Sequence, residues 1–324
     1  MKLLLRADAS PTIGAGHIAR VVAYAECAVA RGWDVAFAGR TDNADWLAAR
    51  FDELAVARLP VSPWDSLAAG FDAVLVDHYG LGDVRDQVNA AGARLVSLED
   101  DTFGRRPADV VVDAGLSPAP RPADGSDVLL RGVSYTALRE VVLRARARRS
   151  GRVFGSPPHV TVVLGGGAEW SSTVELLLRA LAATGLPFTA DALVRGEPAV
   201  PALSGGQAVR VTAPNPGLHD LLVSTDIAIS AAGVTFLELC CLGVPTAALQ
   251  LVDNQAPGYH AALELGLSAG LGEAATLETR FPSVVSVLTE LLADTGVRSS
   301  LSAASASTVD GRGAGRVLDV LEAH

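Results

Sequence analysis

Cysteine is scarce in this chain of 324 residues, and the three present form neither a metal-binding nor a disulfide pattern. Cys240 and Cys241 are adjacent within an apolar stretch and Cys27 stands apart, which fits a reducing compartment. The sequence also contains no CxxC, HxH or HExxH element and no GxSxG turn. We therefore expect no bound catalytic metal and no cofactor.

Long apolar runs are missing as well. The segment Lys2–Leu5 is too short for the apolar region of a signal peptide. No stretch approaches the roughly 18 uninterrupted apolar residues that suggest a membrane span. Hydrophobic residues still make up 49% of the chain, which is enough for large cores. We expect a cytoplasmic protein with no integral membrane segment.

The chain has fewer basic than acidic residues, 26 Lys and Arg against 36 Asp and Glu, which gives a formal net charge of −10. A large nucleic-acid interface needs a basic surface, so we expect no nucleic-acid partner. A small anionic ligand remains compatible, because local arginines and helix N-termini can hold it.

Short apolar strands alternate with helical segments along most of the chain, a pattern typical of parallel α/β sheets. The pattern restarts at His159–Leu164, after a Gly-, Ser- and Pro-rich stretch at 150–158. The predicted fold is therefore α/β, with two Rossmann-like, doubly wound domains around a central cleft. We place their boundaries at 1–149 and 150–324. Ligands of such sheets bind outside the carboxyl ends of the strands.

The turn after the first predicted strand carries the most informative motif, Gly14-Ala-Gly16-His17, followed by Arg20 and preceded by Arg6 and Asp8. We predict that the two glycines, the two arginines and Asp8 contact the substrate. Two glycines at a strand-to-helix turn allow a ligand to approach the backbone, and the helix start offers unpaired N–H groups. A histidine placed there can accept a proton near neutral pH. An ordinary turn with a capping histidine is an equally compatible interpretation.

Two further strands end in polar groups. Asp77-His78-Tyr79-Gly80 offers an acid, an imidazole and a phenol, and Glu99-Asp100-Asp101 follows the next strand. Because these ends share one edge of the predicted sheet with His17, we predict that Asp77 and Tyr79 assist catalysis and that His78 contacts substrate. A simple loop role for His78 is the alternative.

The second half contains three candidate ligand-binding turns. Gly165-Gly166-Gly167 and Ala232-Gly233-Val234 each join a strand to a helix, where backbone N–H groups can hold phosphate oxygens. Asn254-Gln255 opens a later helix. Glu238 lies in an apolar stretch and requires a hydrogen-bonding partner, either a ribose diol or a basic group of a neighbouring element.

Other polar residues are interpreted as structural or exposed. The basic run of Arg144, Arg146, Arg148 and Arg149 is typical of a solvated helix end. Four histidines show no spacing to a partner: His159, His219, His260 and His324.

Taken in order, these motifs resemble the nucleotide-sugar hydrolases of pseudaminic acid biosynthesis, which are grouped with spore-coat polysaccharide proteins and related to MurG-type glycosyltransferases. The resemblance spans most of the chain and includes Gly132–Glu140 as the inter-domain segment. It implies a GT-B fold and a UDP-sugar substrate. His17 would then deprotonate the water that attacks the anomeric carbon.

The same resemblance implies the remaining roles. Tyr79 and Asn254 would contact the sugar or pyrophosphate, Glu238 would hold the uridine ribose, and the Gly165–Gly167 turn and the helix at Gly233 would face the diphosphate. The chain has Gly167 and Ala168 where the family usually carries Ser or Thr and then Asp. One hydroxyl ligand of the phosphates is therefore missing. A glycosyltransferase is the alternative activity, and a non-catalytic nucleotide-sugar-binding protein is a more distant third.

Overall fold

A computed structural model describes residues 1–10, 13–42, 44–165, 170–214 and 217–323. Its strands are β1 (Lys2–Ala7), β2 (Asp34–Ala38), β3 (Ala57–Leu59), β4 (Ala73–Asp77), β5 (Arg94–Glu99), β6 (Val110–Asp113), β7 (Val128–Arg131), β8 (His159–Val163), β9 (Phe188–Leu193), β10 (Gln207–Thr212), β11 (Ile227–Ala231), β12 (Thr246–Gln250) and β13 (Ala269–Glu273).

The helices are α1 (Gly16–Ala30), α2 (Asp45–Glu53), α3 (Trp64–Leu67), α4 (Arg85–Ala90), α5 (Glu140–Arg149), α6 (Ser171–Ala183), α7 (Leu218–Ser224), α8 (Val234–Leu242), α9 (Ala256–Glu264), α10 (Phe281–Ala293), α11 (Thr295–Thr308) and α12 (Gly313–Ala323). Short 3₁₀ turns lie at Val133–Tyr135, Asp253–Gln255 and Ala274–Thr276.

The chain divides into two compact units. The first comprises residues 1–140 and the C-terminal segment from Asp310 onward, and the second comprises residues 141–309. The first contains a seven-stranded sheet in the order β3-β2-β1-β4-β5-β6-β7, and the second a six-stranded sheet in the order β10-β9-β8-β11-β12-β13. Within these two sheets, the named strands pair in parallel. The predicted pair of Rossmann-like, doubly wound domains is confirmed.

Continuous apolar runs explain why the central strands lie inside the sheets. Leu3, Leu4 and Leu5 are all fully buried, and so are Val74, Leu75 and Val76 of the adjacent strand. Since side chains alternate between the two faces of a strand, burial of consecutive residues requires cover on both faces. Separate apolar clusters on the two faces of the first sheet supply that cover.

The compact units differ from the predicted boundary in two ways. The division falls after Glu140 instead of after residue 149, so α5 belongs almost entirely to the second unit. Helix α12 returns to the first unit, where Val317 and Leu318 are part of the core around α1. Gly313 permits this return, because an added Cβ would lie 2.0 Å from the Tyr135 carbonyl carbon.

The basic run on α5 also differs from its interpretation as a solvated helix end. Arg146 donates to the carbonyl oxygens of Cys241 at 2.9 Å, Val309 at 2.6 Å and Ala306 at 2.8 Å. These groups lie in or beside the last turns of α8 and α11, whose carbonyls lack helical partners. Arg149 donates to the carbonyl oxygens of Leu222 and Val223 near the end of α7. Arg144 and Arg148 are exposed, as expected. Two of the four arginines therefore stabilise helix ends inside the second unit.

Candidate active site

The carboxyl ends of β1 and β4 define the centre of the candidate site in the first unit. These two strands are neighbours, and Ala7 is paired with Asp77 at their ends. The chain proceeds from β1 to β2 and β3 on one side, whereas β5, β6 and β7 lie on the other. This reversal is the topological switch point at which ligands of open α/β sheets bind.

His17 and Asp77 form a close pair at this point. Nδ1 of His17, in the first turn of α1, lies 2.5 Å from Oδ1 of Asp77, the last residue of β4. Asp77 is fully buried and His17 is nearly so. The other ring nitrogen of His17, Nε2, has no hydrogen-bond partner within the described part of the chain. It is therefore the nitrogen that can accept a proton from a ligand.

Arg20 keeps the Asp77 carboxyl group ionised. Its Nε and Nη2 atoms donate to the two Asp77 oxygens at 2.7 Å each, one helical turn beyond His17. Burial alone would raise the pKa of Asp77, but the charge of Arg20 and the hydrogen bonds from Arg20 and His17 hold that pKa well below its usual range. Arg20 Nη2 also lies 3.0 Å from His17 Nδ1, but it is closer to Asp77 Oδ1, at 2.7 Å, and donates there. An ionised Asp77 can only accept hydrogen bonds, so we assign the proton of the 2.5 Å His17–Asp77 contact to Nδ1.

Tyr79 and Asp100 complete the first side-chain group. The Tyr79 hydroxyl donates to Asp100, which also pairs with Arg20. The Tyr79 ring meets the His17 ring edge-on, with centroids 4.5 Å apart and an interplanar angle of 82°. Burial and the Asp100 charge raise the pKa of Tyr79, so it remains a neutral phenol and a proton donor in hydrogen bonds. The sequence places Asp100 at a strand end but assigns it no role.

A second group next to it holds Arg6, Asp8 and His78. Arg6 binds Asp8 through two nitrogen atoms, at 2.6 and 3.0 Å, and Asp8 also lies 3.0 Å from Nε2 of His78. Nδ1 of His78 accepts from the Gly80 N–H at 2.9 Å. Both ring nitrogens are thus engaged, and burial and Arg6 lower the pKa of His78. His78 is therefore a neutral residue that supports the loop in this structure, while its predicted substrate contact stays a prediction.

Arg106 is a supporting residue that the sequence interpretation missed. Its buried guanidinium donates to the Leu81 carbonyl at 3.0 Å, to Ser97 Oγ at 2.8 Å and to the His78 carbonyl. It therefore ties the loop that carries Tyr79 to β5. No motif signalled this role, because an arginine 27 residues further along the sequence shows no pattern with Tyr79.

The loop before α1 explains the two predicted glycines. Gly14 has φ of +80°, a conformation that glycine adopts without strain, and its N–H donates to the Ser10 carbonyl at 2.8 Å. Gly16 begins α1 one residue before His17. His17 thus lies in the first turn of α1, where it contacts Asp77 at the end of β4.

In the second unit, the predicted turn at α8 has a geometry suited to an anion. Gly233 is the N-cap of α8 and lacks a side-chain cap, with Ala232 before it and Val234 as the first helical residue. The side-chain Nε2 of Gln255 lies 3.5 Å from the position of an added Gly233 Cβ. The N–H groups of Ala232 and Gly233 already donate to the carbonyls of Leu249 and Ala231, at 3.0 and 2.8 Å, so the backbone donors that α8 can offer beside Gln255 begin at Val234. Asn254, which precedes Gln255 in sequence, is exposed. Gly165 follows β8 with φ of +105°, and the predictions for Gly166 and Gly167 lie outside the described residues.

Glu238 has a hydrogen-bonding partner within the protein, a residue that the sequence analysis did not name. Nε2 of His219, on α7, lies 3.3 Å from Oε2 of Glu238, on α8, and both side chains are buried. This contact matches the alternative prediction, a basic group on a neighbouring element. Whether Glu238 also binds a ribose stays a prediction.

Within the described ranges, no group of three or more His, Cys, Asp or Glu side chains is arranged to hold a metal ion. In the same residues, every helix is too short or too polar to span a bilayer.

No protein-family model matches this sequence, and no curated protein matches it either. Solved structures do match over nearly the full length. MurG from Acinetobacter baumannii has 14% identity and a TM-score of 0.65, covering 100% of this chain and 99% of its own. The glycotransferase of kitacinnamycin has 16% identity and a TM-score of 0.68, covering 99% and 98%. UDP-GlcNAc 2-epimerase from Neisseria meningitidis, bound to UDP-GlcNAc, has 11% identity and a TM-score of 0.61, covering 100% of both chains.

These similarities establish the fold. Together with the two parallel sheets, they identify the GT-B architecture of two Rossmann-like domains. At such low identity they do not extend to substrate or reaction.

Proposed function

We propose that this protein is an enzyme that acts on a nucleotide sugar, most simply a UDP-sugar, and transfers the sugar to an acceptor hydroxyl group. The observation that carries the proposal is the 2.5 Å contact between His17 Nδ1 and the buried, ionised Asp77 at the switch point of the first sheet. A histidine held in this way is a general base whose other nitrogen is directed to a ligand.

The reaction follows from this proton acceptor. His17 Nε2 takes the proton of the acceptor O–H as its oxygen attacks the anomeric carbon. The bond from that carbon to the diphosphate oxygen breaks, and the nucleoside diphosphate leaves with the electron pair. A single displacement inverts the anomeric configuration. The imidazolium formed on His17 is stabilised by Asp77.

Charge favours this step. With His17 and Tyr79 neutral, Arg20 contributes one positive charge against the negative charges of Asp77 and Asp100. A proton on His17 neutralises the resulting net charge of −1.

The second unit supplies features suited to the leaving group. The N-terminus of α8 at Gly233, with Gln255 beside it, offers N–H donors to a diphosphate. The fold is shared with a UDP-GlcNAc 2-epimerase bound to UDP-GlcNAc and with MurG. These likenesses support a UDP-sugar, while the particular sugar is left to experiment.

Hydrolysis is the second candidate activity. It is favoured by the ordered motifs Gly14-Ala-Gly16-His17 and Asp77-His78-Tyr79-Gly80, which resemble those of nucleotide-sugar hydrolases. The same base would then activate water.

A panel of UDP- and CDP-sugars distinguishes the two activities, with nucleotide release followed in the presence and absence of acceptor alcohols. Release that requires an acceptor supports transfer, and release in water alone supports hydrolysis. In ¹⁸O-labelled water, hydrolysis at the anomeric carbon places the label in the sugar. Label in the nucleotide, or no release from any member of the panel with or without acceptor, contradicts the proposed chemistry.

A further inference from the structure

Phe103 is an exposed aromatic residue on a well-fixed turn. The backbone N–H of Asp100 donates to the Phe103 carbonyl at 3.1 Å, and the Phe103 N–H donates to the Asp100 carbonyl at 2.9 Å. Between them, Asp101 has φ of +58°, and its Oδ1 accepts from the Ala119 N–H at 3.0 Å. Phe103 is nevertheless 39% exposed.

This turn also packs against Tyr79. The Phe103 and Tyr79 ring centroids are 5.6 Å apart, with an interplanar angle of 39°. Gly104 allows the close approach, because an added Cβ would lie 3.2 Å from Tyr79 Cδ1. Since Tyr79 in turn contacts His17, the rings of Phe103, Tyr79 and His17 form one continuous series.

A single exposed aromatic residue is ordinary on a protein surface, so its exposure alone has no functional meaning. The position of Phe103 has a functional meaning, because its ring contacts Tyr79, which contacts the proposed base His17. The nucleophile must reach His17, and water needs no apolar surface to do so. A molecule with an apolar ring gains free energy by covering Phe103 while its hydroxyl group lies near His17.

We propose that Phe103 determines acceptor specificity, and that together with Tyr79 it binds an acceptor whose hydroxyl group is on or next to an apolar ring. This inference rests on the proposed transferase function. It adds the chemical class of the acceptor and a residue that the sequence motifs do not include.

Direct binding tests the proposal without relying on turnover. The probes are 4-methylumbelliferone, followed by its fluorescence, and 2-phenylethanol, followed by saturation-transfer NMR, with glycerol as the purely polar hydroxyl compound. We expect the native protein to bind both ring compounds more tightly than glycerol. Phe103→Ala should weaken their binding roughly tenfold, in line with the loss of one aromatic contact. Phe103→Leu should have an intermediate effect.

Matched controls separate this effect from general damage. Val61 is another exposed apolar residue of the first unit, and Val61→Ala should leave binding of both ring compounds unchanged. UDP affinity, measured by calorimetry, should be the same in all variants. Three results would overturn the proposal. Phe103→Ala could bind the ring compounds as tightly as the native protein does, or it could lose UDP affinity to the same extent. The third is that the native protein binds neither ring compound. Failure of the proposed function is a separate result, namely no nucleotide release by the native protein with any sugar nucleotide.

Discussion

Asp77 is the residue on which the candidate site depends most. It is fully buried, yet it stays ionised because Arg20 supplies a positive charge and hydrogen bonds to both of its oxygens, and His17 adds a hydrogen bond to one of them. Burying an unpaired carboxylate would cost several kcal/mol, so these three residues must be present together. The same arrangement fixes the His17 tautomer, which links local stability to the proposed chemistry.

Replacement of His17 tests its role as the base. His17→Ala should lower turnover by roughly two to four orders of magnitude, because no other group takes the proton from the nucleophile. Nucleotide affinity should be nearly unchanged. Steady-state kinetics and calorimetry measure the two effects, with His260→Ala, an exposed histidine on α9, as the matched control. Unchanged turnover in His17→Ala would rule out this assignment.

Asp8 gives the protein a predictable response to acid. Burial would raise its pKa, but hydrogen bonds and charge from Arg6, together with the Arg40 N–H, lower it from 3.8 to about 2. A carboxyl group whose pKa is lower in the folded state contributes stability above its unfolded pKa. That contribution is lost as the pH falls from about 4 to about 2. Because solvent screens this partly exposed group, we expect the contribution to be about 1 kcal/mol.

The prediction for Asp8 is a flatter acid profile after substitution. Asp8→Asn should remove most of this pH-dependent contribution to the free energy of unfolding, measured by urea titration between pH 5 and 2. Asp86→Asn, which removes an exposed carboxylate on α4, is the control and should retain the native slope. An Asp8→Asn profile parallel to that of the native protein would contradict the expected shift.

Glu238 has two candidate partners, His219 and a ribose. If it binds the ribose diol, Glu238→Gln should weaken UDP binding by about 1–3 kcal/mol, the usual contribution of a charge-assisted hydrogen bond. Native protein should also bind UDP more tightly than 2′-deoxy-UDP. Calorimetry with both nucleotides measures this. If the native protein binds UDP and 2′-deoxy-UDP equally well, and Glu238→Gln lowers only stability, then Glu238 contacts His219 and not a ribose.

Among the elements, α5 has the least expected role. Two of its arginines satisfy carbonyl groups at the ends of three helices of the second unit. Arg149 is buried, which lowers its pKa to about 10, but it remains charged near neutral pH. A helix that looks solvated in sequence thus stabilises the ends of its neighbours.

Arg149 and Arg144 provide a matched pair on this helix. Arg149→Met should lower the free energy of unfolding by roughly 1.5–3 kcal/mol, because the carbonyls of Leu222 and Val223 lose a charged donor. Arg144→Met removes an exposed arginine and should change stability by less than about 0.5 kcal/mol. Chemical denaturation measures both variants. Equal effects would mean that the contacts of Arg149 with α7 contribute little.

At the scale of the whole molecule, the sheets of the two units have the same strand order, apart from the additional strand β7 in the first. Strands β3-β2-β1-β4-β5-β6 correspond to β10-β9-β8-β11-β12-β13. Each unit therefore has its own switch point, at β1 and β4 in the first and at β8 and β11 in the second. His17 and Asp77 lie at the former, and Gly165 and Gly233 follow the strands of the latter.

The packing of α12 in the first unit leads to a prediction about residues that are far apart in sequence. Leu318 is fully buried in the core around α1, although it follows the whole second unit in sequence. Leu318→Ala should destabilise the first unit by about 2–5 kcal/mol. Hydrogen exchange should speed up in β1 and β4 and stay unchanged in β8 and β11. Increased exchange confined to β8 and β11 would contradict the assignment of α12.

Local sequence patterns determined the strand and helix alternation and most of the motif positions. Strand β8 ends one residue before its predicted end at Leu164, because burial on both faces produces short, continuous apolar runs. The strand ends then place His17, Asp77 and Tyr79 along one edge, since side chains at the ends of adjacent parallel strands are neighbours.

Only the tertiary structure decided which of these polar groups are partners. The contacts of Arg20 with Asp77, Asp100 with Tyr79 and His219 with Glu238 join residues 57, 21 and 19 positions apart, and no local pattern encodes such pairs. The placement of α12 and the helix-end contacts of α5 depend likewise on packing between distant segments. A sequence specifies which side chains require burial or a charged partner, but folding determines which distant segment meets that requirement.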